Sequence, residues 1–244
     1  MLPRALLAGL AFGATALAGC ASRPTEDSRR PGESVEVLPG VRLDASGGVV
    51  EFDASIAVDC HNPETPVVYL ETIVCTPDTR EHEALLVTRA RPSDIHAALL
   101  LAGLEPGGPG AWRHENGRAV ADPAHGDHVE VRLIMSDGTG AECDIDPRDW
   151  IVNVATGGSL ARTGASWVFA GSRWVRRQER EVYEADLTGQ AVGLHTFGSE
   201  LVALDRPMHH DSAIESPEWI ADATRVPPAG TRVRLRLRAA GGVD

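Results

Sequence analysis

From Val35 onward the chain alternates short apolar runs with polar turn chemistry. Strand-length runs cover Val35 to Leu43, Gly48 to Ala57, Pro66 to Cys75, Glu83 to Ala90, His128 to Met135, Trp167 to Val175, Ala191 to Phe197, Leu201 to Leu204 and Thr231 to Arg238. Gly47-Gly48, Pro77-Asp78, Asp137-Gly138 and Pro227-Pro228 punctuate them, the pattern of a mostly antiparallel sheet. One segment, about residues 92–103, reads as a helix: Pro92 opens it, Gly103 stops it, and Ile95, Ala98, Leu99 and Ala102 fall on one face. Residues 105–127 are rich in Gly, Pro and His and read as a long loop. The expectation is an α+β fold, a predominantly antiparallel β-sheet domain with one clear helix, over residues 35–240. Near its end, Arg232 to Arg238 alternates strictly, so a strand there sets four Arg on one face and Val233, Leu235 and Leu237 on the other. Such a basic stripe suits an anionic glycan or a partner protein. Its plainer use is pairing with the chain's own carboxylates, such as Glu130 or Glu181.

The pattern changes at the N-terminus. A basic start at Met1 to Arg4 precedes an apolar stretch from Ala5 to Ala18, too short for a membrane span, and Leu17-Ala18-Gly19-Cys20 closes it like a bacterial lipobox. Residues 1–19 read as a lipoprotein signal peptide, Cys20 as the lipidated (palmitate-bearing) residue, and residues 20–34 as a flexible tether. This predicts a periplasm-facing cell-envelope protein whose first partner is the lipid bilayer. Ala21, in place of an aspartate, leans toward the outer rather than the inner membrane.

The formal charge of -12, with no lysine among 23 basic residues, disfavours nucleic acid and anionic lipid as partners of the folded domain. With Cys20 acylated, Cys60, Cys75 and Cys143 remain, an odd set that allows at most one bridge, with Cys60 to Cys75 possible. No C-x-x-C occurs, so no cofactor is predicted from cysteine motifs.

Candidate chemistry gathers around Pro77-Asp78-Thr79-Arg80. Read as a hairpin loop, this turn sets Cys75 opposite His82, with Cβ atoms about 5 Å apart. There an imidazole activates a thiol, or the two ligate a soft metal. A one-residue slip separates them, and a partly buried Cys beside a hydrogen-bonded His is the plainer reading. Glu83 is a third catalytic candidate. His96, with Asp94 in the first turns of the helix, is expected to be neutral and completes a Cys75, His82, His96 site for a transition metal such as zinc. Other patterns are weaker. His82-Glu83-Ala84-Leu85-Leu86 lacks the second histidine of a zinc-protease helix, and Ser172 lacks the second glycine of a nucleophile elbow. His125-Gly126-Asp127-His128 and His209-His210-Asp211 define no geometry. Trp150, Trp167, Trp174 and Trp219 suit a core better than a sugar-stacking surface.

The succession Tyr69-Leu70-Glu71, Val74-Cys75, Glu81-His82-Glu83-Ala84-Leu85-Leu86 and Asp94 to Leu104, with Trp167 to Ser172 and the segment from Trp219 to Leu237, resembles the YdjY-domain family. The resemblance implies an extracytoplasmic globular domain of the kind carried by lipoproteins and secreted proteins of planctomycete-type bacteria, and brings no established reaction with it. Some relatives carry a ferredoxin-like cysteine cluster, which this chain lacks, so electron transfer is not implied. The favoured expectation is a non-enzymatic envelope lipoprotein that binds a ligand or an envelope partner. The alternative is a metal- or thiol-dependent site at Cys75, His82 and His96.

Overall fold

The computed structural model describes residues 32–136 and 138–241. The expected signal peptide, Cys20 and nearly all of the expected tether lie outside the described residues. The fold is mostly β, which corrects the α+β expectation: a closed eight-stranded barrel dominates, and among the described residues only one helix exceeds two turns.

Eleven strands form the main sheet: β1 (Val35–Leu38), β2 (Val41–Asp44), β3 (Val49–Ile56), β4 (Thr72–Cys75), β5 (Ala84–Thr88), β6 (His128–Ser136), β7 (Glu142–Ile145), β8 (Trp167–Phe169), β9 (Val192–Gly193), β10 (Val202–Leu204) and β11 (Arg232–Ala239). The barrel runs β3-β11-β6-β8-β10-β9-β4-β5 and returns to β3. Closure depends on how β3 divides one of its edges. Val49 to Phe52 pair with β2, whereas Ala54 to Ile56 pair with β5, and the other edge pairs with β11 throughout. β1 and β2 therefore hang outside the ring, as does β7 on β6.

Alternation decides the inner face. Val50, Phe52, Ala54 and Ile56 face inward opposite Leu237, Leu235 and Val233, which in turn lie beside Val131 and Leu133. The ring of paired apolar residues continues through Leu86, Val74, Val192, Val202 and Phe169. Each such side chain contributes about 1.5–3 kcal/mol on burial. On the outer wall the arginine stripe finds carboxylates. Arg236 lies 2.9 Å from Glu51, Arg234 lies 2.6 Å from Glu142, and Arg238 pairs with Glu130. Glu181 takes no part, because it stands opposite Arg176 in a separate hairpin.

The helix expected at residues 92–103 is α1 (Pro92–Leu101). One first-turn amide is capped from elsewhere in the chain: Asp186 of α2 (Glu184–Thr188) accepts from the Ser93 amide at 2.8 Å and from the Ser93 hydroxyl at 2.7 Å. The expected loop at 105–127 instead contains the pair Pro106–Gly108 with His125–Gly126 and the hairpin Ala111–Glu115 with Arg118–Asp122. Ala124 packs with Val168, Ala170 and Ala203, covering the outer face of β8 and β10. Among the described residues no helix is long and apolar enough to cross a membrane.

Candidate functional site

Two strand pairs in the barrel are parallel, and their connections build the site. The turn at residues 76–83 joins β4 to β5, which run parallel with Thr72 opposite Ala84. This overturns the expected hairpin: Cys75 stands beside Val87, not opposite His82. The segment 194–201 joins β9 to β10, parallel at Val192 and Val202. Because β9 is antiparallel to β4, with Gly193 opposite Thr72, the second connection leaves at the end where the first one returns. The Glu71 amide donates to the Glu83 carbonyl, and the amides of Leu194 and His195 converge on the Glu71 carbonyl at 3.2 and 2.9 Å.

Glu71, Arg80, Glu83 and His195 meet there. Arg80 reaches Glu71 at 3.1 Å and also pairs with Glu83. Burial, then the charge and hydrogen bond of the adjacent Glu83, push the Glu71 carboxyl up to about 7. Burial pushes the His195 imidazole down to about 4; His210 and His209 reinforce the shift and Glu83 opposes it. The usual order of acid and base is thus inverted: near neutrality the Glu71 carboxyl is about half protonated and hydrogen-bonded to Glu83, while the His195 imidazole is the free base. His195 is 6% exposed, and its Nδ1 is buried without a hydrogen-bond partner among the described residues.

A row of stacked rings borders the cluster. Trp112 lies 4.4 Å from His209, His209 5.0 Å from His210, His210 4.8 Å from Phe197, and the Arg80 guanidinium covers Phe197 at 4.0 Å. The Trp112 indole and His210 Nδ1 both lie 3.1 Å from the Thr196 carbonyl oxygen. Beneath, Glu200 is fully buried, and its carboxyl accepts from the amides of Phe197 at 2.5 Å and Gly198 at 3.1 Å, tying the connection into a knot. Burial raises the Glu200 pKa against those hydrogen bonds.

The residues singled out from sequence occupy different surroundings. Cys75 is fully buried on β4, and burial raises its thiol to about 11, which suits a core residue rather than a nucleophile. His82 is exposed on a 3₁₀ turn, 3.7 Å from Glu83. His96 has its Nδ1 2.8 Å from the Tyr183 hydroxyl, which donates to the Gly171 carbonyl, and burial lowers its pKa. Asp94 lies in the first turn of α1. Cys60, Cys75 and Cys143 are all free thiols. Among the described residues no three His, Cys, Asp or Glu side chains are arranged to hold a metal ion. Ser172 is structural, its hydroxyl donating to the Ser199 carbonyl at 2.8 Å. Trp150, Trp167 and Trp219 are core residues, and Trp174 is exposed.

Only Glu83, and more weakly His209 and His210, pointed to this cluster from sequence. Glu71, Arg80, His195 and Glu200 did not. The available signal was the run Ala191 to Leu201, where a histidine and a glutamate interrupt an apolar stretch, since a buried ionisable group is costly and needs a reason.

The architecture is a closed barrel in a mostly β fold, with a cluster of carboxylates and imidazoles gathered by two parallel-strand connections at one end. The chain belongs to the YdjY domain family, whose model matches residues 41–238. No curated protein and no solved structure matches it.

Proposed function

We propose that the chain is a cell-envelope lipoprotein, anchored through acylated Cys20 on the periplasmic side of the outer membrane, whose barrel binds a hydrogen-bonding ligand at the Glu71, Glu83 and His195 cluster. The observation that carries the binding site is the buried Nδ1 of His195. An unsatisfied buried polar atom costs about 1–3 kcal/mol, and a ligand group that pairs with it recovers that energy. The Glu71 carboxyl, raised to about 7 and hydrogen-bonded to Glu83, keeps a proton in the pair below that pH. Titratable groups whose surroundings push their pKa values apart are candidates for acid and base roles. The lipobox run carries the anchor reading. No observation favours a metal- or thiol-dependent centre at Cys75, His82 and His96.

Two experiments separate the parts. Labelled palmitate should enter the wild-type chain and not Cys20→Ser; equal labelling overturns the anchor. For the site, thermal melts against muropeptides, neutral oligosaccharides and free amino acids should reveal a compound that raises the wild-type Tm, as binding to the folded state requires, and leaves His195→Ala unmoved. Equal shifts in both proteins, or none at millimolar compound, overturn the site.

A further inference from the structure

The arginine stripe is not paired along its whole length. Arg234, Arg236 and Arg238 have carboxylate partners, but Arg232, at the opening of β11 opposite Ser55, has none among the described residues, and neither has Arg89 just beyond β5. Both are exposed. They line one groove on the outer barrel wall, about 630 Å³ in volume, with Ser55 and Ser136 as hydroxyl neighbours and Val87 and Ile134 among its apolar residues. The other charged residues of the groove are compensated: Asp53 is held by Arg42 at 2.9 Å and Arg234 by Glu142 at 2.6 Å. Neither guanidinium is in a direct ion pair among the described residues, and only Asp53 of the same groove acts on Arg232 from farther off, in a concavity of a chain whose formal charge is -12. A second outer groove, of about 710 Å³, differs in kind: its arginines Arg132 and Arg148 are paired with Asp144 and Asp146.

We propose that the groove between Arg89 and Arg232 is a binding site for a polyol bearing oxyanions, either carboxylate or phosphate. Guanidinium forks match the geometry of both oxyanions, and the two serines suit the hydroxyls of a sugar or glycerol unit. The long-range field of the chain repels anions, so recognition operates within the Debye length, about 8 Å at physiological salt. This site is separate from the Glu71 and His195 cluster and stands whether or not Cys20 is acylated.

The test is calorimetric titration of the protein with tetragalacturonate, with an oligomer of glycerol phosphate, and with phosphatidylglycerol vesicles against phosphatidylcholine vesicles. At least one anionic probe should bind, more weakly in 500 mM than in 50 mM NaCl. Arg89→Ala/Arg232→Ala and Arg89→Glu/Arg232→Glu should each weaken it tenfold or more, with melting curves confirming the fold. Arg113→Glu, on the outlying hairpin, should bind like wild type. Binding of a soluble probe assigns the oxyanion to a glycan or polyol phosphate, and binding of anionic vesicles alone assigns it to a lipid headgroup. Failure of every probe at 1 mM, equal binding by the paired variants, or an equal loss in Arg113→Glu overturns the proposal.

Discussion

At the scale of single residues, the inverted titration of Glu71 and His195 has a sign that can be checked. Glu71 is raised from 4.5 to about 7, so its contribution to stability is complete below pH 4.5 and is lost as pH rises through 7. His195 is lowered from 6.5 to about 4, so its contribution is complete above pH 6.5 and is lost as pH falls through 4. Between these limits the two slopes oppose each other. Glu71→Gln should leave the His195 slope exposed, with stability falling as pH drops from 6.5 to 4. His195→Ala should leave the Glu71 slope, with stability falling as pH rises from 4.5 to 7. One proton is worth about 1.4 kcal/mol per pH unit at full difference, and the Glu71 slope should be shallower because solvent partly screens it. Urea unfolding of wild type and both variants at four pH values measures each slope as a difference from wild type, which cancels the shared contributions of Glu200 and His96, and differences that share one sign would refute the assignment. Little of this was legible in the sequence. A glutamate after Tyr69-Leu70 and a histidine after Gly193-Leu194 acquire their chemistry from burial, which depends on strand pairings far apart in the chain. Cys75 and His82, close in sequence and chemically suggestive, are separated by a parallel pairing that local pattern cannot distinguish from a hairpin.

At the scale of elements, long alternating segments were readable and short ones were not. β3, β6 and β11 follow their apolar periodicity closely, and α1 begins at its proline and ends just before Gly103. The run Ala191 to Phe197, by contrast, yields a strand of only Val192–Gly193, because the chain then folds around the Glu200 carboxyl instead of continuing a ladder. Gly193 makes that turn possible through close approach: a Cβ there would lie 2.4 Å from Glu200 Cγ. Gly193→Ala should therefore displace the carboxyl from the amides it holds, costing about 1–3 kcal/mol as overpacking does. For a chain of this size that corresponds to a fall in Tm of roughly 2–12 °C. Gly241→Ala, which meets no atom within 4 Å, serves as the control and should melt like wild type. An unaffected Gly193→Ala would mean that the Glu200 knot does not support the connection.

At the scale of the whole molecule, the barrel is closed but unevenly. β11 pairs with β3 over seven residues and with β6 over six, whereas β6 meets β8 over two, β4 meets β9 over two, and β9 meets β10 at one. Opening free energies follow such differences, since a short seam holds fewer hydrogen bonds and less buried area. The cluster of Glu71, Glu83 and His195 sits on the weakly paired side, where small rearrangements cost least and a bound ligand can contribute most. Native-state hydrogen exchange in increasing urea should therefore show two classes. Amides of β4, β9, β10 and the connection 194–201 should exchange first, through openings of lower free energy. Those of β3, β6 and β11 should exchange last, at the free energy of global unfolding. A compound that raises the wild-type Tm through the cluster should lift the first class toward the second and leave the second tied to global stability. If β3, β6 and β11 lose protection first, or all amides exchange together at every urea concentration, the division of the barrel into a rigid wall and a compliant site wall is wrong.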